Sequence, residues 1–185
     1  MDEKKFLKNY FIKLSSLLEP DNQTKLKLIK VKNLINAAKK KGKKILIFGN
    51  GGSAAIASHF SVDLTKNAKV KCVNFNESDL ITCFSNDYGY ENWMKKSIEF
   101  YGEKGDILIV ISSSGNSKNI HNAIKMARKK RFSSLITFSG FKKNNPLKNK
   151  GNINFWVKSK SYNFVENIHQ AWLLSIVDLI VAKKL

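Results

Sequence analysis

Ile45-Leu46-Ile47-Phe48-Gly49-Asn50-Gly51-Gly52-Ser53 is the stretch that decides how this chain folds. Four consecutive apolar residues without polar alternation mark a strand buried on both faces, the habit of a parallel sheet covered by helices. The glycine run follows at once, and a helix-like stretch continues to about Lys66. Strand, glycine turn and helix open a βαβ unit. Outward from this point the alternation persists. Strands are predicted at 70–75, 107–111, 134–138 and 153–157. Helices are predicted at 91–101, 118–130 and 163–183, with a short helix after residue 75. Asn86-Asp87-Tyr88-Gly89 and 139–150 read as loops. The fold class is therefore α/β with a parallel sheet.

Toward the N-terminus two helices precede the sheet. Residues 4–18 carry a helical stripe of Phe6, Leu7, Tyr10, Phe11, Leu14, Leu17 and Leu18 that stops before Pro20. A second helix spans about 22–40, with Leu26, Ile29, Leu34 and Ala37 or Ala38 expected inward. The 185 residues then form one domain, with 1–40 as a helical extension and 44–185 as the α/β core. The extension's apolar stripe suits an oligomer interface or packing on its own domain.

The chain carries 33 Lys plus Arg against 14 Asp plus Glu, a formal charge of +19. Only Arg128 and Arg131 are arginines, and base-edge readout favours arginine's rigid fork. The charge reads as a lysine-rich compositional background, and no nucleic-acid partner is expected. It would still concentrate anions such as phosphorylated metabolites. Two cysteines, Cys72 and Cys83, form neither a disulfide framework nor a metal-ligand spacing, and buried reduced thiols are expected. The N-terminus has no secretory apolar run, and the most apolar stretch, 171–182, is short and contains Asp178. A cytoplasmic protein without a membrane segment is expected.

Ligands of parallel α/β sheets bind beyond the carboxyl ends of the strands. Gly49, Gly51 and Ala54 satisfy the dinucleotide spacing G-x-G-x-x-A, but Glu77 lies too far along for the ribose-binding acid. The second turn, Ser112-Ser113-Ser114-Gly115-Asn116-Ser117, argues for another ligand. Serine and asparagine are ordinary turn and cap residues. Four hydroxyls around a glycine at a helix start instead make a neutral cradle for one phosphate dianion.

Gly49-Asn50-Gly51-Gly52-Ser53-Ala54-Ala55 with His59-Phe60, then Asn86-Asp87-Tyr88-Gly89, then the serine turn together resemble the sugar isomerase (SIS) domain. Within that family they resemble the phosphoheptose isomerases. The resemblance implies a flavodoxin-like three-layer sandwich around a five-stranded parallel sheet. It also implies a homotetramer with sites between subunits and a sugar-phosphate ligand. By match, Ser112, Ser114 and Ser117 would hold the phosphate, while Asn50, Gly51, Gly52, Ser53, Asn86 and Asp87 would line the sugar. The implied reaction converts sedoheptulose 7-phosphate to a manno-heptose 7-phosphate for surface polysaccharide.

The catalytic pattern departs from the family. A His and a Glu four residues on are here His59 and Asp63, and the shorter carboxylate loses roughly 1.5 Å of reach. On the last helix, aligning on His169 puts Glu166 at a Gln position and Leu174 at that of a catalytic His. Leucine neither transfers a proton nor binds a metal. His59, Asp63 and Glu166 are then the candidate ligands of the family's zinc, too few for a site of that type. Glu166 and His169 are three apart, so they are expected on a common site, Glu166 as base and His169 as its partner. The competing reading is a non-catalytic SIS protein that senses a sugar phosphate or binds a protein, as a replication-initiator regulator does.

Overall fold

The computed structural model describes residues 1–182. Its twelve elements run α1 (Glu3–Leu18), α2 (Asn22–Lys40), β1 (Ile45–Phe48), α3 (Gly52–Lys66), β2 (Cys72–Val73), α4 (Ser78–Tyr88), α5 (Trp93–Tyr101), β3 (Ile107–Ser112), α6 (Lys118–Lys129), β4 (Ser134–Ser139), β5 (Ile153–Trp156) and α7 (Tyr162–Val181). The end of the last predicted helix, at residue 183, lies outside the described residues. All strand pairs are parallel, in the order β2-β1-β3-β4-β5. The order reverses between β1 and β3, where a doubly wound sheet opens a crevice.

Alternate residues of the buried strands feed two separate cores. Ile45, Ile47, Ile107, Ile109 and Ile111 face α2, α3 and α7. Leu46, Phe48, Leu108 and Val110 face α5 and α6. With apolar cover on both sides the sheet is the middle of three layers, which is why its strands read as unbroken apolar runs. The Asp2 and Asp21 carboxylates accept from the amides of Lys5 and Thr24, capping α1 and α2.

Several expectations are corrected. On α2 the buried stripe is Leu28, Val31, Ile35 and Ala38, a 3-4-3 spacing, while Leu26, Ile29 and Ala37 face outward. No residue of α1 is buried, and Phe6, Leu7, Phe11 and Ile12 are exposed. β2 is two residues long rather than six, because Phe75 turns the chain at φ 56° to stack on Phe48. Asn86, Asp87 and Tyr88 belong to the last turn of α4, not to a loop. Cys83 is exposed, whereas burial pushes the Cys72 thiol up from its usual range. The apolar C-terminal stretch belongs to a 20-residue helix, long and apolar enough by length and composition to cross a membrane. Val165, Ile168, Trp172, Leu173, Ile176 and Val177 of that helix are buried in the sheet-facing core.

Candidate active site

Two turns meet where the strand order reverses. β1 ends at Phe48 and hands over to α3 through Gly49–Gly51; β3 ends at Ser112 and hands over to α6 through Ser113–Ser117. Neither N-cap residue caps its helix with a side chain; in α3 the Ser53 and Ala54 amides donate to the Asn50 and Gly51 carbonyls, and in α6 the Ile120 amide donates to the Asn119 side chain. Between them lies a cavity of about 160 Å³. Asn50, Ser53, Ser112, Ser113, Ser114, Ser117, Tyr162 and Glu166 supply its polar lining.

The serine turn is held by its own hydrogen bonds. The Ser112 and Ser117 hydroxyls meet at 3.3 Å, and the Gly115 amide donates to the Ser112 carbonyl at 3.0 Å. Gly115 has φ +72°, and a Cβ there would collide with Asn145, which is itself buried. Asn145 donates to the Ser139 hydroxyl and the Gly140 carbonyl, so the 139–150 loop braces the turn. The Ser113 hydroxyl is buried without a protein partner.

Sequence reasoning missed two supports. His121 Nε2 lies 2.8 Å from the Gly115 carbonyl. Asn119 exchanges two side-chain hydrogen bonds with Asn50, at 3.1 and 2.9 Å. The first joins a side chain to a backbone carbonyl six residues earlier, a partner that residue types do not announce. Nothing in the sequence signalled the second, since 69 residues separate the pair. The Tyr90 hydroxyl also donates to Asn50, at 3.1 Å.

Asn50, Ser53, Ser112, Ser114, Ser117 and Glu166 are thus gathered around one cavity, with Gly51 and Gly52 at the start of α3 beside it. Asn86 and Asp87 are not among its lining; both are exposed on α4, and Asn86 donates to its neighbour's carboxylate. Glu166 sits over Gly52, where any Cβ would collide with its carboxylate. Partial burial raises its carboxyl above the usual range, and a hydrogen bond from Ser53 opposes the shift.

The other three expected catalytic residues sit elsewhere. His169 is fully buried, edge-on to Phe138, with Nε2 3.1 Å from the Ser139 carbonyl. Burial holds its imidazole down to about 4. It does not join Glu166 in the cavity, because a neutral ring tied to a backbone carbonyl serves the core. His59 and Asp63 pair at 3.4 Å on the outer side of α3, where His59 is 48% exposed, and Gln170 on α7 lies 3.3 Å from His59 Nδ1. His59 is seven residues beyond Gly52, roughly 10 Å along the helix.

The residues do not fit the family's zinc. Among the described residues no three His, Cys, Asp or Glu side chains come together as a ligand group. Both nitrogens of His59 already face Asp63 and Gln170, and Glu166 lies against Gly52 instead. The Leu174 position offers no donor.

Comparison with known proteins bears on the family and the fold. The profile of the SIS domain family matches residues 9–135, more than half of the chain. Phosphoheptose isomerase of Fusobacterium nucleatum is 35% identical over 144 residues, covering 75% of this chain and 73% of that one. The chain belongs to the SIS domain family, on its phosphoheptose isomerase branch. The phosphoheptose isomerase of Glaesserella parasuis serovar 5 is 40% identical over 126 residues, 65% of each chain. A solved phosphoheptose isomerase from Francisella tularensis superposes with a TM-score of 0.84 and 25% identity, covering 99% of this SIS domain and 100% of that chain. The flavodoxin-like sandwich, including α1 and α2, is therefore shared across the whole described fold.

Proposed function

We propose that this SIS domain is an aldose–ketose isomerase acting on a ketose phosphate of the sedoheptulose 7-phosphate type. The observation that carries the reading is the single cavity in which three serine hydroxyls face the partly buried carboxyl of Glu166. Ser112, Ser114 and Ser117 hold the phosphate, with the amides at the start of α6. Neutral donors suit a dianion that must also leave, since they bind it through many moderate hydrogen bonds. Asn50, Gly51, Gly52 and Ser53 receive the sugar hydroxyls, and the Asn119 and Tyr90 contacts fix which way the Asn50 amide points.

Isomerisation moves one proton between neighbouring carbons. A base takes a proton from C1, the C1=C2 bond of an enediol forms, and the C2 oxygen gains a proton. The proton then returns to C2 while the C1 oxygen gives one up, leaving an aldehyde. Glu166 is the base. Its raised pKa brings it toward neutrality, where a base is most effective. His59 and Asp63 are assigned to the oxygen-to-oxygen transfer.

Their place on the outside of α3 supports a homotetramer in which another copy completes each site. Val62, between them, is 59% exposed, and α1 presents Phe6, Leu7, Phe11 and Ile12. Such apolar area is costly to leave in water. Light scattering on the pure chain measures the assembly, and a monomer at working concentration overturns it. For the reaction, the test is NMR of sedoheptulose 7-phosphate incubated with the pure protein. New aldose resonances are expected. Saturable binding without conversion would assign the chain to sugar-phosphate sensing instead.

A further inference from the structure

The 14 acidic residues are unevenly placed. They stop at Asp106 and resume at Glu166, leaving 59 residues without a carboxylate side chain. At the chain's own frequency that stretch would hold about four. It carries 12 lysines and arginines, and it builds β3, α6, β4, the 139–150 loop and β5, one whole flank of the sheet.

On this flank lies a groove of about 340 Å³, separate from the serine cavity. His121, Lys125 and Arg128 form one wall, at the i, i+4, i+7 positions of α6. Lys150 and Pro146 form the other, and Ile124 also lines it. Arg128 is one of two arginines in the chain, and it is held in place by a 2.6 Å hydrogen bond to the Lys150 carbonyl. The ion pairs of the described residues involve Lys25, Lys43, Lys44, His59 and Lys96, none of them in this groove. The Glu99 carboxylate feels the charge of Lys129 at the end of α6. The helix dipole accounts for basic residues in the last turn of α6. It accounts neither for Lys125, one turn earlier, nor for Lys150 on the opposite wall.

A concave site with converging cations, no carboxylate in its lining and a small apolar patch suits an anion with several charges close together. We propose that this groove is a second anion site and that its ligand carries a di- or triphosphate group, either free or on a nucleotide. Lys125, Arg128 and Lys150 take the charge. Ile124 and Pro146 offer an apolar rest to a base or sugar attached to it. His121 links the two sites, since its ring lines this groove while its Nε2 meets the Gly115 carbonyl of the serine turn. The inference does not depend on turnover at Glu166.

Titration calorimetry of the full-length chain with ATP and, separately, with tripolyphosphate tests it at moderate salt without magnesium. Saturable binding of at least one probe is expected. Tighter ATP points to a nucleotide as the source, and equal affinity points to free polyphosphate. Lys125 is exposed, so Lys125→Glu leaves the fold intact and should weaken binding at least tenfold. Lys104→Glu removes the same charge from an exposed turn elsewhere and should change it less than twofold. Ser112→Ala with Ser117→Ala should leave it unchanged. Equal weakening by Lys125→Glu and Lys104→Glu, loss of binding in the serine variant, or no saturable binding of either probe overturns the proposal.

Discussion

The serine turn after β3 and the seam between α3 and α7 lie side by side but are held by different means. In the turn, position comes from the backbone: a strand end, a left-handed glycine, a buried asparagine brace and the start of a helix. On the seam, position comes from single side chains projecting from helix surfaces, at Glu166, Gln170, His59 and Asp63. A recognition element built from backbone survives changes in neighbouring side chains. A proton-transfer element built from side chains changes character with one substitution.

The sharpest way to break this contrast is Glu166→Gln. Loss of the base should lower kcat by about 10²–10⁴ while sugar-phosphate affinity holds within a few fold. Steady-state kinetics with a direct binding assay would check both, and near-native turnover would move the base elsewhere. Next in size is His169, which belongs to the core and not to the seam. Its folded pKa of about 4 lies below the ordinary 6.5, so the unfolded chain binds the proton more readily. Stability should fall as pH drops from about 6.5 to 4, by about 3 kcal/mol in all, and flatten below. Urea unfolding at pH 7 and pH 4.5 should show this loss in the native chain and not in His169→Gln.

The turn predicts a different signature. Ser117→Ala should raise KM for the sugar phosphate roughly ten- to a hundredfold, since a hydrogen bond to a charged group is worth about 1.5–3 kcal/mol. kcat should stay within about threefold. A larger fall in kcat than in affinity would mean that the turn also positions the reacting carbons. The smallest effect on stability is expected from Asp63→Asn. An exposed pair with His59 contributes less than about 1 kcal/mol, so thermal unfolding should barely move. An activity loss of tenfold or more is expected in the same variant from the part assigned to His59 and Asp63 in the oxygen-to-oxygen transfer, and unchanged activity would remove the pair from the chemistry.

The same contrast explains what the sequence revealed. Strand positions and the serine turn were legible because both are local: apolar runs of four to six residues, and six consecutive residues that form one turn. The seam was not, because it depends on which helix face meets which. Three-residue spacing suggested that Glu166 and His169 share a site, yet the 0% exposure of His169 puts it in the core while Glu166 reaches the cavity. The inward residues of α2 were misread for the same reason, as two apolar stripes compete on that helix and the sheet selects Leu28-Val31-Ile35-Ala38. Asn50 and Asn119 could not be paired from sequence at all.

Helices α1 and α2 dock on segments that are made much later, β5 and α7. The Trp172 indole donates to the Leu18 carbonyl at 3.0 Å, Tyr10 packs on Phe164 with ring centroids 4.7 Å apart, and Lys27 reaches the Asn154 carbonyl at 3.1 Å. During synthesis α1 and α2 leave the ribosome first and must wait for α7. At about 5–20 residues per second, that interval lasts roughly ten to thirty seconds. Through it the stripe of α2 has the sheet but not α7 to pack on, and the α1 contacts to α7 cannot form, which makes this the period of greatest exposure to aggregation or chaperone capture. A ribosome stalled just before α7 would carry a sheet with one face only part covered and an α1 without its α7 contacts. Completion of the last helix closes the fold and delivers Glu166 in the same event.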